Sequence, residues 1–165
     1  MHEPSDYSHR FAERFRALGL DPVLIGALAA NTYRSTPRFT TDVDFLTRTL
    51  VGLVEAMEAD GLEVRAISDP GEPPYVAFIR GGGIRVDVIA AQTDYQHTAI
   101  DRAVDGILTV EDVIIHKLIA WRARDRDDIA QILDARHVLD GGYIEDWAQA
   151  WQVEDRWLSA RRLAD

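Results

Sequence analysis

The 165-residue chain contains no cysteine. Disulfides, thiolate metal sites and cysteine nucleophiles are therefore all excluded, and the absence suits a reducing compartment. Lysine is almost missing as well: of 18 basic residues, Lys117 is the sole lysine and the rest are arginine. No apolar run approaches the roughly 18 residues of a membrane helix. Met1 to Arg16 is polar and mixed in charge, unlike a secretory leader. These absences predict a soluble, cytoplasmic protein with no membrane partner. Positive charge is also short, and a formal net charge of −10 opposes non-specific adhesion to nucleic acid or anionic lipid. The sequence has no Gly-x-Ser-x-Gly elbow and no Gly-Lys-Ser/Thr phosphate loop, which argues against serine hydrolases and Walker-type ATPases. Its five histidines, His2, His9, His97, His116 and His137, lack His-x-x-x-His spacing. Chemistry is left to carboxylates, hydroxyls and the few cations.

The length and the 47% apolar content predict one domain spanning 1–165, able to bury about 70% of its extended-chain surface. Phe11, Phe15 and Leu18 have helical spacing, with Gly19 as a stop. Val23 to Ile25 is a short apolar strand leading through Gly26 into a helical Ala27 to Tyr33. Arg34 to Thr41 is a loop. Asp42 opens a further strand, and Leu50 to Met57 forms a helix closed at Gly61. Val64 to Ile67 is a strand, Ser68 to Pro74 a loop, and Tyr75 to Ile79 and Ile84 to Ile89 form a hairpin across Arg80 and three glycines. From Thr109, which opens a capping-box-like turn with Asp112, the chain is helical. Asp125 to Asp128 resembles another helix start, and Gly141-Gly142 breaks the chain before a tail with Trp147, Trp151 and Trp157. Strands interleaved with helices predict an α/β (α+β) fold: a mixed sheet flanked by helices, with a core over about 20–135 and a helical carboxyl-terminal extension over about 140–165.

Asp42 and Asp44 stand one residue apart at the head of an apolar run. On a strand, both carboxylates project from one face, with Cα atoms roughly 6.6 Å apart. Carboxylates so placed hold Mg²⁺ ions about 3.5–4 Å apart in phosphoryl-transfer enzymes. With 19 aspartates in the chain, about two Asp-x-Asp triplets arise by chance, so context must decide. Alternation in the hairpin puts Arg85, Asp87 and Ile89 on one face and Ile84, Val86 and Val88 on the other. Asp87 is thereby available as a third carboxylate. Basic residues bunch at Arg34/Arg38 and at Lys117/Arg122/Arg124/Arg126, as phosphate contacts or solvated faces.

The stretch Leu24-Ile25-Gly26-Ala27 through Pro37-Arg38-Phe39-Thr40-Thr41-Asp42-Val43-Asp44 resembles the signature of the nucleotidyltransferase (DNA polymerase beta-like) superfamily. Glu111-Asp112 with Lys117 and Arg124-Asp125-x-x-Asp128 is similar to its minimal bacterial branch, which includes the abortive-infection AbiEii-like toxins. The resemblance implies that Asp42, Asp44 and Asp87 bind two Mg²⁺ ions, with Mn²⁺ as a substitute, and that Asp87 activates the attacking hydroxyl. It implies that Gly26 and Ala27 bring backbone N–H groups to the nucleotide phosphates, and that Lys117 holds the triphosphate. Asp125 and Asp128 match acidic positions near the site, with helix capping as their alternative reading. Arg38 and Thr40 are candidate phosphate contacts, or else a surface residue and a turn hydroxyl. Ala27 departs from the family's usual Gly or Ser and removes a hydroxyl while leaving the backbone donors. The implied partners are an NTP, an RNA end, protein or small molecule as acceptor, and a cognate toxin or antitoxin. A competing reading is a catalytically inactive binding module that acts as one half of a toxin and antitoxin pair.

Overall fold

The computed structural model describes residues 4–164. His2 and the first residues of the expected polar amino terminus lie outside the described residues, as does Asp165. The elements run α1 (Pro4–Ala17), β1 (Val23–Ile25), α2 (Gly26–Asn31), β2 (Val43–Thr47), α3 (Leu53–Ala59), β3 (Glu63–Ile67), β4 (Val76–Gly81) and β5 (Ile84–Ala90). Five helices follow: α4 (Asp94–Arg102), α5 (Val110–Ala120), α6 (Ala123–Asp134), α7 (Gly141–Ala150) and α8 (Glu154–Ala164).

The strands form one mixed sheet in the order β1-β2-β5-β4-β3. β2 and β5 pair in parallel and the other pairs are antiparallel. The crossover from β2 to β5 runs through α3, β3 and β4, so two strands distant in sequence become neighbours. Alternation assigns the two faces. Val43, Phe45, Val86 and Val88 point into a core closed by α1 and α3, where Phe15 meets Phe45 edge-on at 5.4 Å. Leu46 and Ile89 point to the opposite face, and Leu46 joins a larger core built from α2 and α4 to α8. Asp44 and Asp87 share the Leu46 and Ile89 face because they occupy the same parity along their strands.

α5 is seated by a buried polar knot. Thr109 caps its first turn by accepting from the Asp112 N–H. The fully buried Asp112 carboxylate accepts from Thr109 at 2.7 Å, Tyr143 at 2.7 Å, Tyr95 at 3.2 Å and Arg102 at 3.2 Å. A buried carboxylate is tolerated when its lone pairs are satisfied in this way. The knot ties α4, α5 and α7 together and fixes the helix that carries Lys117.

Several expectations need correction. Asp42 lies immediately before β2, which begins at Val43. The hairpin strand continues through Arg80 to Gly81, leaving a tight turn at Gly82-Gly83, both at positive φ. α6 begins at Ala123, two residues before Asp125. Gly141-Gly142 does not break the chain: the pair forms the first turn of α7, capped by Asp140 accepting from the Tyr143 N–H. The sequence pattern also gave no sign of α4, although Thr93 and Gln96 form a reciprocal capping box at its start. No helix among the described residues is long and apolar enough to cross a membrane.

Candidate active site

Asp44 and Asp87 are direct partners across the parallel β2/β5 pair, at the strand spacing of about 4.8 Å. Asp42 follows the same face two residues upstream. Burial pushes the Asp44 carboxyl up to about 6, and the neighbouring charges of Asp87 and Asp42 push it the same way, against Lys117 and Arg122. Asp44 also explains the glycine. Gly26 sits at φ +68°, and a Cβ there would lie 2.2 Å from Asp44 Oδ2. Its lack of a side chain lets the β1–α2 turn close over that carboxylate.

The outer two aspartates are held by arginines. Asp42 Oδ1 lies 2.8 Å from Arg85 Nε, and Asp87 Oδ1 lies 2.7 Å from Arg80 Nη1. Arg80 Nη1 directs its hydrogens to the carbonyls of Ile79 at 2.9 Å and Val86 at 3.1 Å. Asp87 Oδ1 is therefore covered without receiving a hydrogen bond. With these pairings, no group of three or more His, Asp or Glu side chains among the described residues is gathered to hold a metal ion. The donor set nevertheless suits Mg²⁺, which prefers oxygen ligands. A cation between Asp44 and Asp87 would relieve their repulsion and satisfy the orphaned oxygen.

Beside the carboxylates opens a cleft of about 270 Å³, lined by Gly26, Asp44, His116, Lys117, Arg122 and Asp125 among others. Lys117 is only 5% exposed. Its Nζ is clamped between Asp125 Oδ1 at 3.2 Å and Asp128 Oδ2 at 2.8 Å. Asp125 also accepts from Arg122 Nε at 2.7 Å and from the Arg122 N–H at 3.0 Å. Asp128 accepts from Arg38 Nε at 2.8 Å and from Arg34 Nη1 at 2.5 Å. Burial alone would raise both carboxyls, but these hydrogen bonds hold them below the ordinary range. Lys117, Arg122, Arg34 and Arg38 thus surround the buried Asp125 and Asp128, with Asp127 also ion-paired to Arg34 at 3.0 Å. Asp125 acts both as part of the helix cap and as a Lys117 tether, whereas Asp128, one turn further on, acts as the tether.

The remaining candidates fall close by. Arg38 is committed to Asp128 and also bonds Asn31 through its backbone. Thr40 accepts from the Asp42 N–H at 3.3 Å, a turn hydroxyl that shapes the approach to β2. Ala27 is buried in α2 directly behind Gly26. His116 reaches the cleft wall, and burial pushes its imidazole down to about 4. It is neutral at pH 7 and lies edge-on to Tyr95 at 5.6 Å. Sequence reading missed Arg80 and Arg85 as partners of the aspartates, although alternation had placed Arg85 on the Asp87 face. It also passed over Phe39, 80% exposed and three residues before Asp42.

No protein-family model and no curated protein matches the sequence. Solved structures do. The antibiotic-resistance factor ANT(2'')-Ia superposes with a TM-score of 0.60 at 15% identity, covering 97% of each chain. An antigenic nucleotidyltransferase-like protein from Paracoccidioides brasiliensis superposes at 0.51 with 15% identity, over 96% of this chain and 91% of the other. The chain has the nucleotidyltransferase fold. At such identities the likeness establishes architecture alone. Within the nucleotidyltransferase fold of this chain, Asp44 and Lys117 line one cleft, and the β2/β5 register sets Asp87 directly beside Asp44.

Proposed function

We propose that the protein is a Mg²⁺-dependent nucleotidyltransferase that moves a nucleoside monophosphate from an NTP to a hydroxyl acceptor in the cytoplasm. The observation that carries this reading is the direct cross-strand pairing of Asp44 with Asp87 beside a cleft containing the buried Lys117. Asp42, Asp44 and Asp87 would hold the cations, which when bound neutralise charge on the attacked phosphorus and the leaving group. In the transfer, the acceptor oxygen bonds to the α-phosphorus while the bond from that phosphorus to the pyrophosphate oxygen breaks. The hydroxyl proton passes to Asp87. Lys117, with Arg38 and Arg122 around it, steadies the triphosphate, and the β1–α2 turn at Gly26 and Ala27 offers backbone N–H groups to it. A role in phage defence, opposite a cognate toxin or antitoxin, follows from the resemblance to minimal bacterial members.

A second reading is a non-catalytic binding module that keeps the carboxylates without turnover. The clasp of Asp42 by Arg85 and of Asp87 by Arg80 favours it. Incubation with Mg²⁺ and each α-labelled NTP, together with total RNA or cell protein, separates the two. The enzyme reading expects label transfer that Asp42→Ala and Asp44→Ala abolish. Absence of transfer to any acceptor, with NTP affinity unaltered in those variants, supports the module.

A further inference from the structure

The cleft does not end at Lys117. Val113, His116 and Ala120 recur at helical spacing along α5, and all three line the cleft together with Lys117. His116 and Ala120 also wall a second cavity of about 190 Å³, completed by Tyr95 and Gln96 of α4, by Ile119, and by Trp151 at the end of α7. The two hollows are neighbours that share one turn of helix.

Their linings differ in kind. The first carries Asp44, Lys117, Arg122 and Asp125. The second has no charged side chain and is walled by rings, with Tyr95 edge-on to His116 at 5.6 Å and to Trp151 at 6.3 Å. Tyr95 is 2% exposed, whereas Trp151 keeps 37% of its surface open to a ligand. His116 stands at the junction, only partly buried. Its ring packs against Tyr95, and no hydrogen bond reaches either nitrogen among the described residues. Neutral at pH 7, the imidazole offers one donor and one acceptor.

We propose that the second cavity seats the base of the nucleoside triphosphate against Trp151 and Tyr95, and that His116 recognises the sugar by hydrogen-bonding a ribose hydroxyl. The inference deepens the nucleotidyltransferase reading and rests on it. Along α5 the chemistry runs from cation to neutral imidazole to aromatic wall, the order of phosphate, sugar and base in a nucleotide. A base stacked on an indole needs no charged partner. Asp87, which takes the acceptor's proton, lines neither hollow. The second cavity therefore lies on the nucleotide's side of the site and not on the acceptor's.

Equilibrium dialysis of the full chain in Mg²⁺ tests the seat. The tightest binder among non-hydrolysable ATP, GTP, CTP and UTP analogues is compared with its 2′,3′-dideoxy form and with inorganic tripolyphosphate. Wild-type protein should hold the nucleotide about 5- to 100-fold more tightly than tripolyphosphate, the worth of one stacked base. Trp151→Leu should erase most of that margin while leaving tripolyphosphate affinity unchanged, which also shows that the charged cleft is intact. Wild-type protein should prefer the ribo form over the dideoxy form by about 2- to 10-fold, the worth of a hydrogen bond. His116→Leu should bind the two alike, and His116→Gln, which keeps a donor and an acceptor, should restore the preference. Unfolding midpoints confirm that each variant is folded. Equal wild-type affinity for nucleotide and tripolyphosphate, a folded Trp151→Leu or His116→Leu that binds as wild type, or equal losses with all ligands overturns the inference and leaves nucleotidyl transfer standing. The expected selectivity with no label transfer to any acceptor supports the seat and removes catalysis. Failure to bind any of these ligands removes both.

Discussion

Replacing Asp44 by asparagine should stabilise the cation-free protein, and the gain should depend on pH. Asp44 has an ordinary value of 3.8 that rises to about 6 in the fold, chiefly through burial and then through Asp87 and Asp42. A folded value above the unfolded one means that the native state binds the proton more tightly. The stability contributed by protonated Asp44 is therefore complete below about pH 3.8 and is lost as pH rises through about 6. At 1.36 kcal/mol per unit, that interval corresponds to about 3 kcal/mol of native-state cost above pH 7. Asparagine is a neutral near-isostere that avoids the cost. Asp44→Asn should thus gain up to about 3 kcal/mol at pH 8, or roughly 6–12 °C in melting temperature for a chain of this size, and almost nothing at pH 4. Urea unfolding in the presence of a chelator at both pH values provides the assay. Saturating Mg²⁺ should narrow the gap at pH 8, because a bound cation offsets the same repulsion in the wild type alone. A variant no more stable than wild type at pH 8, or equally stabilised at pH 4, refutes the reasoning.

Gly26→Ala should cost the left-handed backbone penalty of about 1–2 kcal/mol and also displace Asp44, whose Oδ2 lies 2.2 Å from the new Cβ. Gly19→Ala, at φ +79° with nothing within 4 Å, should cost only the backbone part, so calorimetric Mn²⁺ binding should fall in the first variant and not in the second. Lys117→Met removes the ammonium shared by Asp125 and Asp128. It should destabilise by about 3 kcal/mol, as breaking a buried ion pair does, and weaken NTP binding in equilibrium dialysis. Unchanged stability would show that the remaining arginines satisfy both carboxylates.

The sequence disclosed features that local physics controls. Alternation at Asp42-Val43-Asp44 and at Arg85-Val86-Asp87 assigned faces correctly because one face of each strand is core, and Thr109 capped its helix as its position suggested. What stayed hidden depends on contacts across the fold. The pairing of Asp42 with Arg85 follows from a parallel register that neither strand specifies alone. Asp125 read equally well as a cap until α5 brought Lys117 within 3.2 Å. Helix α4 escaped notice because its few apolar anchors, Tyr95, Ala99 and Ile100, lie among polar residues. Gly141-Gly142 signalled a break on propensity, yet the Asp140 cap and the packing of Ile144 and Ala148 override the pair's weak helix preference.

The most direct measurement is an anomalous difference map from crystals grown with Mn²⁺ and a non-hydrolysable NTP. The account predicts manganese between Asp44 and Asp87, ligated at about 2.0–2.2 Å, with Arg80 and Arg85 released from Asp87 and Asp42. Manganese elsewhere, or none, with both arginines still clasping their carboxylates around a bound nucleotide, would contradict it.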